Sequence, residues 1–463
     1  TTQHNLMKTP PPPAAAATTE QVTKEEDREE LIKVFFMAMI GEKEKQLVTA
    51  SPVDVKKAFE EEFVKKPAPD SILKYKDLIE QIINGGDGSN VSSEVIHQKE
   101  RRRIEMHMED VVMERIFYEM SKAVGEDQEE KERLLKCDLS ISPWKMDSWD
   151  DLAHLIDTRL GHIVQDETGQ KKSAEKDSED KYQREVREES EKIKRCLREW
   201  LKNDITPDKK TAEVHGKLGF VEYHKVRYLK RWLNQEERTT SLREAEKEFK
   251  LAMNLDTSEW AFPLMIGRIT GKLFNRRGER EGGLSVIHMR DELELYSQAM
   301  SLSIHPKKKE LECLYRLHST RSQYALAIQT SFNQAGVEQD TVKEALMVLL
   351  QPKFSFATTK GRSQEMLMAL ISAPTVVEQQ MMNEAIDVIL DDVMAGLNKC
   401  MEQSKCYHKA IAAIARICLS RGGGKGHSDP KKARSELAKL YREQSKDFFS
   451  VYQSEGGSYL GKQ

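Results

Sequence analysis

From about Glu213 onward, apolar residues recur at intervals of three and four, which is the spacing of amphipathic helices. Glycine and proline residues separate these segments, and none of them shows the convincing alternation of apolar and polar residues that a half-buried strand needs. The pattern therefore predicts a fold built by packing helix on helix. With 463 residues, the chain is long enough for several compact domains or for one extended array of repeats.

One segment carries a more specific pattern. Between Leu242 and Trp260, the residues Ala245, Phe249 and Ala252 fall at positions i, i+4 and i+7 on one helical face. This small-large-small spacing is typical of the second helix of a tetratricopeptide (TPR) hairpin. The alanines allow a partner helix to approach closely, and the phenylalanine ring fills the groove between the two helices.

The same features return in the segment that follows. Trp260 opens the next predicted hairpin, Gly267 allows a close helix crossing, and Tyr296 with Ala299 repeats the large-small pair. The alternative is an ordinary amphipathic helix, because Ala, Phe and Leu at helical spacing occur in any helical core. The recurrence favours repeats, so we predict an all-α, TPR-like array of helical hairpins, an α-solenoid.

Changes in composition divide the chain. Pro10–Ala17 has nothing to bury, and nearly every residue from Gln165 to Glu191 is charged or polar. In chain order, we predict a disordered Pro/Ala-rich segment over 1–23, a helical region over 24–164, a charged linker or loop over 165–191, TPR-like helical repeats over 192–335, further helical hairpins over 336–454 and a flexible tail over 455–463.

The overall charge limits the kinds of partner. Charged residues make up 32% of the chain, but 73 basic and 77 acidic residues leave a net charge of only -4. Such a balance does not favour direct sequence-specific binding of nucleic acid, so a charged partner must meet a local patch. The longest apolar run, Val34–Ile40, is far shorter than the roughly 20 residues that span a membrane, and we expect no membrane association.

The sequence offers little support for catalysis. Gly422–Gly426 lacks the Ser or Thr that follows the lysine of a phosphate-binding loop, and a predicted helix rather than a strand precedes it. The histidines do not have metal-ligand spacing, and the six cysteines form no CxxC pair. We therefore predict no catalytic, cofactor-binding or metal-binding residues and expect that the protein is not an enzyme.

Several stretches together resemble a known family. The first group is Phe249–Ala252, Glu259–Trp260, Met265–Ile269, Lys272–Leu273, Tyr296–Ala299, Pro306–Lys308 and Tyr315–Ser319, and the second is Cys406–Ala410, Leu419–Arg421, Lys432–Arg434 and Phe448–Phe449. These stretches, within about 215–325 and 395–452, are similar to the repeat block of the calcineurin-binding protein Cabin family, in the same order as in that family. The family's calcineurin-docking segment has no counterpart here.

The resemblance implies a nuclear scaffold. The Cabin family supplies the large TPR subunit of HIR-type histone chaperone complexes, so the expected partners are HIR-complex subunits and, directly or indirectly, core histones. A second hypothesis is a cytosolic TPR co-chaperone or adaptor that binds peptide termini. The carboxylate clamp of such adaptors needs asparagine, which is absent from 218–233 and 260–274. A third hypothesis is an unrecognised enzyme with its site in the amino-terminal half.

Overall fold

The computed structural model describes residues 75–85, 117–118, 120–122, 124–169, 176–204, 207–274, 285–303, 307–332, 339–374, 378–403 and 408–420. Within these ranges the regular structure is α-helix, and no residue lies in a β-strand. The main helices are α1 Lys76–Asn84, α2 Gln128–Ile141, α3 Met146–Gly169, α4 Lys176–Asn203, α5 Lys209–Tyr228, α6 Gln235–Leu255, α7 Ala261–Leu273, α8 Val286–Leu302, α9 Lys307–Phe332, α10 Gln339–Leu349, α11 Lys360–Ser372, α12 Gln379–Gln403 and α13 His408–Ser420. The predicted all-α class is confirmed, whereas the predicted segments 1–23 and 455–463 lie outside the described residues. Among the helices just named, none is both long and apolar enough to cross a lipid bilayer.

The chain divides into two compact units. The first comprises the described parts of Thr1–Ile163 and Arg184–Ile205, and the second comprises those of Val164–Gln183 and Thr206–Gln463. These divisions differ from the predicted organisation, in which a charged linker or loop occupies 165–191. Residues 165–169 instead belong to α3, and residues 176–191 belong to α4.

The described parts of the charged stretch are helical because its charges and its apolar residues suit different faces of a helix. Lys and Glu have high helix propensity, and oppositely charged side chains three or four residues apart support one another. Lys192 pairs with Glu189 at 2.9 Å in this way. Tyr182 and Val186, four residues apart, are buried on the apolar side. Composition alone does not distinguish such a helix from a solvated loop.

In the first unit, α1 packs against α2 and ends where the sequence changes to glycine. Gly85 adopts a left-handed conformation with φ of 70°, which a residue without a Cβ reaches easily, and its N–H caps the last turn. The guanidinium of Arg195 donates to the Ile83 carbonyl at 2.8 Å. Arg159 links two helices by contacting Glu132 and Glu189, at 2.5 Å in both cases.

The second unit contains the predicted hairpins. Each helix from α5 to α9 packs against the next one along the chain, which is the arrangement of a TPR-like solenoid. Capping boxes at Asp208 and Asn234 fix the first turns of α5 and α6. Residues 192–203, the first part of the predicted repeat region, complete α4.

Beyond α8 the packing becomes less regular. The long helix α9 contacts α10, α12 and α13, and α11 packs on α12. The apolar stripe that includes Ile386, Ile389, Val393 and Leu397 faces the interior, and each of these side chains is at most 1% exposed. The predicted helical hairpins over 336–454 are thus helical as far as the structure describes them, to Ser420.

A buried ion pair joins the helices of this part. Arg321 of α9 and Asp392 of α12 are both 0% exposed and contact each other. The Arg321 guanidinium also donates to the Leu349 and Phe354 carbonyls, at 2.8 Å and 2.7 Å. Asp392 accepts from the backbone N–H of Phe356 at 2.7 Å. The pair therefore holds the connection between α10 and α11 against two other helices.

His318 lies one turn before Arg321 and shares its buried environment. Its Nδ1 is 3.5 Å from the Arg321 guanidinium. Burial, followed by the charge of Arg321, lowers the pKa of His318 to about 3, although Asp392 acts in the opposite direction. In the native state the imidazole is therefore neutral at physiological pH.

The ion pair predicts strong energetic coupling. Asp392→Leu should lower the free energy of unfolding by about 3–5 kcal/mol, because it leaves the buried Arg321 guanidinium without its partner. Arg321→Met should lower it by a similar amount, because it leaves the buried Asp392 carboxylate without its partner. The double variant leaves neither charge, so it should lose at least about 1 kcal/mol less than the sum of the single losses. Urea denaturation of the four proteins measures this difference. Additive losses would contradict the coupling.

The neutral histidine predicts acid sensitivity. An unfolded histidine binds a proton below pH about 6.5, whereas native His318 does not do so until about pH 3. Stability therefore falls as the pH is lowered through this window, by up to about 1.4 kcal/mol per pH unit for this group. In His318→Phe, the melting temperature should decrease less between pH 7 and pH 5 than in the wild type. Equal decreases would mean that His318 does not cause the effect.

Candidate functional site

The repeat interior contains the residues that the sequence singled out on α6. Ala245, Phe249 and Ala252 are all 0% exposed, and their helix packs against both α5 and α7. The Phe249 ring lies over Gly219, where an added Cβ would be only 2.8 Å from Phe249 Cε2. It also meets the Phe220 ring edge to face, with 5.0 Å between the centroids. A glycine of α5 thus provides the space that the aromatic ring fills.

The next hairpin repeats this contact. A Cβ at Gly267 of α7 would lie 2.9 Å from Cε1 of Tyr296 on α8. Tyr296 and Ala299 are 0% exposed. Trp260, just before α7, is only partly buried and packs at the edge of the hydrophobic core. The structure thus brings Gly267, Tyr296 and Ala299 together inside one hairpin and places Trp260 at the margin.

Sequence reasoning missed two glycines of the same kind. Gly219 receives Phe249, and a Cβ at Gly216 would lie 2.7 Å from Cε1 of Phe262 on α7. The available signal was a pair of glycines three residues apart inside an amphipathic helix. Because glycine disfavours helix relative to alanine, its presence there points to close packing.

The surface of the hairpins carries a basic cluster. We call the Tyr223 cluster the set of Tyr223 and Arg227 on α5, Arg268 and Lys272 on α7, and Arg316 on α9. Lys272 Nζ lies 3.9 Å from the centroid of the Tyr223 ring, and Arg268 Cζ lies 5.2 Å from it. Three alternate helices thus contribute to one surface. No single stretch of sequence indicated it.

The pKa values around this cluster report a positive local field. Burial alone raises the pKa of Tyr223, but the charges of Arg268 and Lys272 outweigh it and the pKa is lowered. Burial, and then the charges of Arg227, Arg268 and Lys272, lower the pKa of His224 to about 4. A neutral imidazole and a tyrosine therefore lie among cations.

A second groove, between α6, α7 and α8, has a different electrostatic character. It encloses about 530 Å³ and is lined by both cations and acids, among them Arg243, Glu246, Lys250 and Glu294. Lys250 pairs with Glu246 at 2.6 Å. Because cations and acids there neutralise each other, this groove does not favour a charged ligand of either sign.

Three buried cysteines of the described residues are poorly reactive. Burial raises the pKa of Cys196 and of Cys400 to about 12 and that of Cys313 to about 11. Thiols with such pKa values are protonated and poorly nucleophilic at neutral pH. In the part of the chain that the structure describes, His, Cys, Asp and Glu side chains do not gather in a group that could hold a metal ion.

Comparison with known proteins adds one relationship. The chain is similar to Calcineurin-binding protein 1 of Arabidopsis thaliana. The identity is 21% over 349 residues, which cover 71% of this chain. The chain spans only 17% of that protein's length. No protein-family model matches the chain. The similarity supports the resemblance to the Cabin family that the repeat residues indicate.

The glycine contacts predict an unusual response to alanine. In an exposed helix interior, Gly→Ala stabilises by about 1 kcal/mol, and Gly161→Ala should do so because its Cβ would meet nothing within 4 Å. Gly267→Ala should instead lower the free energy of unfolding by about 1–3 kcal/mol, since the Cβ would collide with the Tyr296 ring. Thermal denaturation of the two variants measures the contrast. Stabilisation by Gly267→Ala would show that the ring is not seated against this glycine.

Proposed function

We propose that the chain is a non-enzymatic scaffold subunit of a nuclear HIR-type histone chaperone complex, which supports replication-independent nucleosome assembly and chromatin organisation. The observation that carries the proposal is the stack of hairpins from α5 to α9, held by aromatic rings against glycines. Such a stack is rigid inside and leaves long helix surfaces for other proteins.

The specific complex is proposed from the relationship to one family. The chain is similar to Calcineurin-binding protein 1, and its repeat residues resemble the Cabin family. The HIR-complex subunits, the core histones and the nuclear location come from that resemblance. The high pKa values of the buried thiols are compatible with a non-enzymatic role.

Affinity purification from nuclear extract tests the proposal. The tagged full chain should recover HIR-complex subunits together with core histones. Phe249→Ala removes a 0% exposed ring from the repeat interior, which costs about 3–5 kcal/mol, so this variant should recover less of both. Gly161→Ala, whose Cβ meets nothing, is the matched control and should recover both like the wild type.

Two results would contradict the proposal. One is a clean purification of the wild type that contains neither HIR-complex subunits nor core histones. The other is exclusion of the fluorescently tagged chain from the nucleus. Equal recovery by Phe249→Ala, at equal abundance, would show that the partners bind elsewhere than on these repeats.

A second candidate is a cytosolic adaptor that binds peptide termini, and the Tyr223 cluster is the observation that favours it. Its cations lie on alternate helices of successive hairpins, where TPR adaptors hold peptides. An adaptor of this kind requires a free terminal carboxylate. Fluorescence anisotropy with one peptide in two forms, with a free C-terminal carboxylate and with a C-terminal amide, distinguishes the adaptor from the scaffold subunit. Amidation would abolish binding of the peptide by the adaptor.

A further inference from the structure

Cations elsewhere in the described chain commonly have acidic partners. Lys225 pairs with Glu222 at 2.9 Å, and Lys353 pairs with Glu294 at 2.6 Å. Three cations of the Tyr223 cluster differ: within the described residues, Arg227, Arg268 and Lys272 form no ion pair with a carboxylate. In a chain whose net charge is only -4, such a concentration of unpaired positive charge is local. Like charges at short range raise the free energy of the ligand-free protein.

The environment of Lys272 reflects the neighbouring cations. The Lys272 side chain is exposed to solvent. Even so, the protein around it and the charges of Arg268 and Arg227 lower its pKa, although Tyr223 acts in the opposite direction. The cations of the cluster therefore act on one another even at this exposed position, and a negatively charged ligand is attracted to the same place.

We propose that the Tyr223 cluster binds a short acidic segment of a partner protein, with Arg227, Arg268 and Lys272 contacting its Asp and Glu side chains. This inference deepens the proposed scaffold function and rests on it. The guanidinium groups offer paired N–H donors that match a carboxylate, and Lys272 adds a point charge between the two helices. Arg316 contributes less, because Glu312 pairs with it at 2.7 Å.

Nucleic acid is a poorer occupant for two reasons. Proteins that bind single strands offer aromatic faces on which bases stack, but Tyr223 is only 3% exposed and its ring is covered by Lys272 and Arg268. A phosphate backbone also needs a long basic track. Here Glu312, which pairs with Arg316 of the cluster, interrupts the positive field. A segment with a few carboxylates fits this short site.

Binding and structure respond differently to loss of a cation. If the cluster is a binding site, Lys272→Gln relieves the repulsion between its cations in the ligand-free protein. The melting temperature should therefore stay the same or rise. The same substitution should weaken acidic-peptide binding. A residue with a merely structural role would show the reverse, with a lower melting temperature and unchanged binding.

Fluorescence anisotropy with the full chain tests the inference. The probe is a labelled octapeptide of alternating Asp and Glu, acetylated and C-amidated so that only side-chain carboxylates are present. The wild type should bind it, and an Asn/Gln peptide of equal length should not bind. Arg268→Gln/Lys272→Gln should raise the Kd at least tenfold, and higher salt should weaken binding by the wild type. Lys250→Gln/Lys353→Gln, which removes the same charge from exposed, paired cations, should leave the Kd within twofold.

Each other outcome counts against the inference. Absence of binding by the wild type, or equal weakening by both double variants, overturns it. A single-stranded oligonucleotide that displaces the peptide at lower concentration assigns the surface to nucleic acid. If Arg268→Gln/Lys272→Gln unfolds, the single variant Lys272→Gln decides, and an unchanged Kd refutes the site. Nuclear purification separates the two proposals: full recovery of HIR-complex subunits by a chain that does not bind the peptide would reject this site and keep the scaffold function.

Discussion

The seating of an aromatic ring against a glycine of the preceding helix sets the geometry of the hairpins. Phe249 lies on Gly219, and Tyr296 lies on Gly267. Because glycine has no Cβ, the two helices of a hairpin approach closely, and the ring fills the space that remains. The separation in sequence between glycine and ring is nearly the same in both hairpins, 30 residues in the first and 29 in the second. A repeated contact of this kind produces a stack in which alternate helices share one side.

The part of this arrangement that depends on local spacing could be predicted from the sequence. The positions of Ala245, Phe249 and Ala252 require only the 3.6-residue period of a helix, and the all-α class follows from the same period along the chain. Gly267 stood out because it follows Trp260 in a hairpin-like segment. Gly219 did not stand out, because its role depends on a ring 30 residues later on another helix.

Other features depend on contacts that no local pattern encodes. Arg321 and Asp392 are 71 residues apart, and each is an ordinary residue of a charged helix until the fold buries it. The stretch 165–191 illustrates the opposite problem. Its Lys and Glu residues have the composition of a solvated loop, yet Glu189 pairs with Lys192, three positions later, once the helix exists, and Tyr182 and Val186 supply the buried face. The amino-acid composition of the stretch indicates that most of its side chains are solvated. Its conformation depends instead on whether the few apolar residues lie on one face of a helix.

The Tyr223 cluster follows from the same geometry. The balanced net charge implied that a charged partner would need a local patch, but it could not indicate where that patch lies. Arg227 comes from α5, Arg268 and Lys272 come from α7, and buried contacts hold these helices at fixed positions. The helices therefore cannot separate to relieve the repulsion between these cations, and only side-chain rotation or a ligand can reduce it. A rigid interior thus maintains an unfavourable charge distribution on the surface, and a partner with carboxylates gains binding free energy by neutralising it.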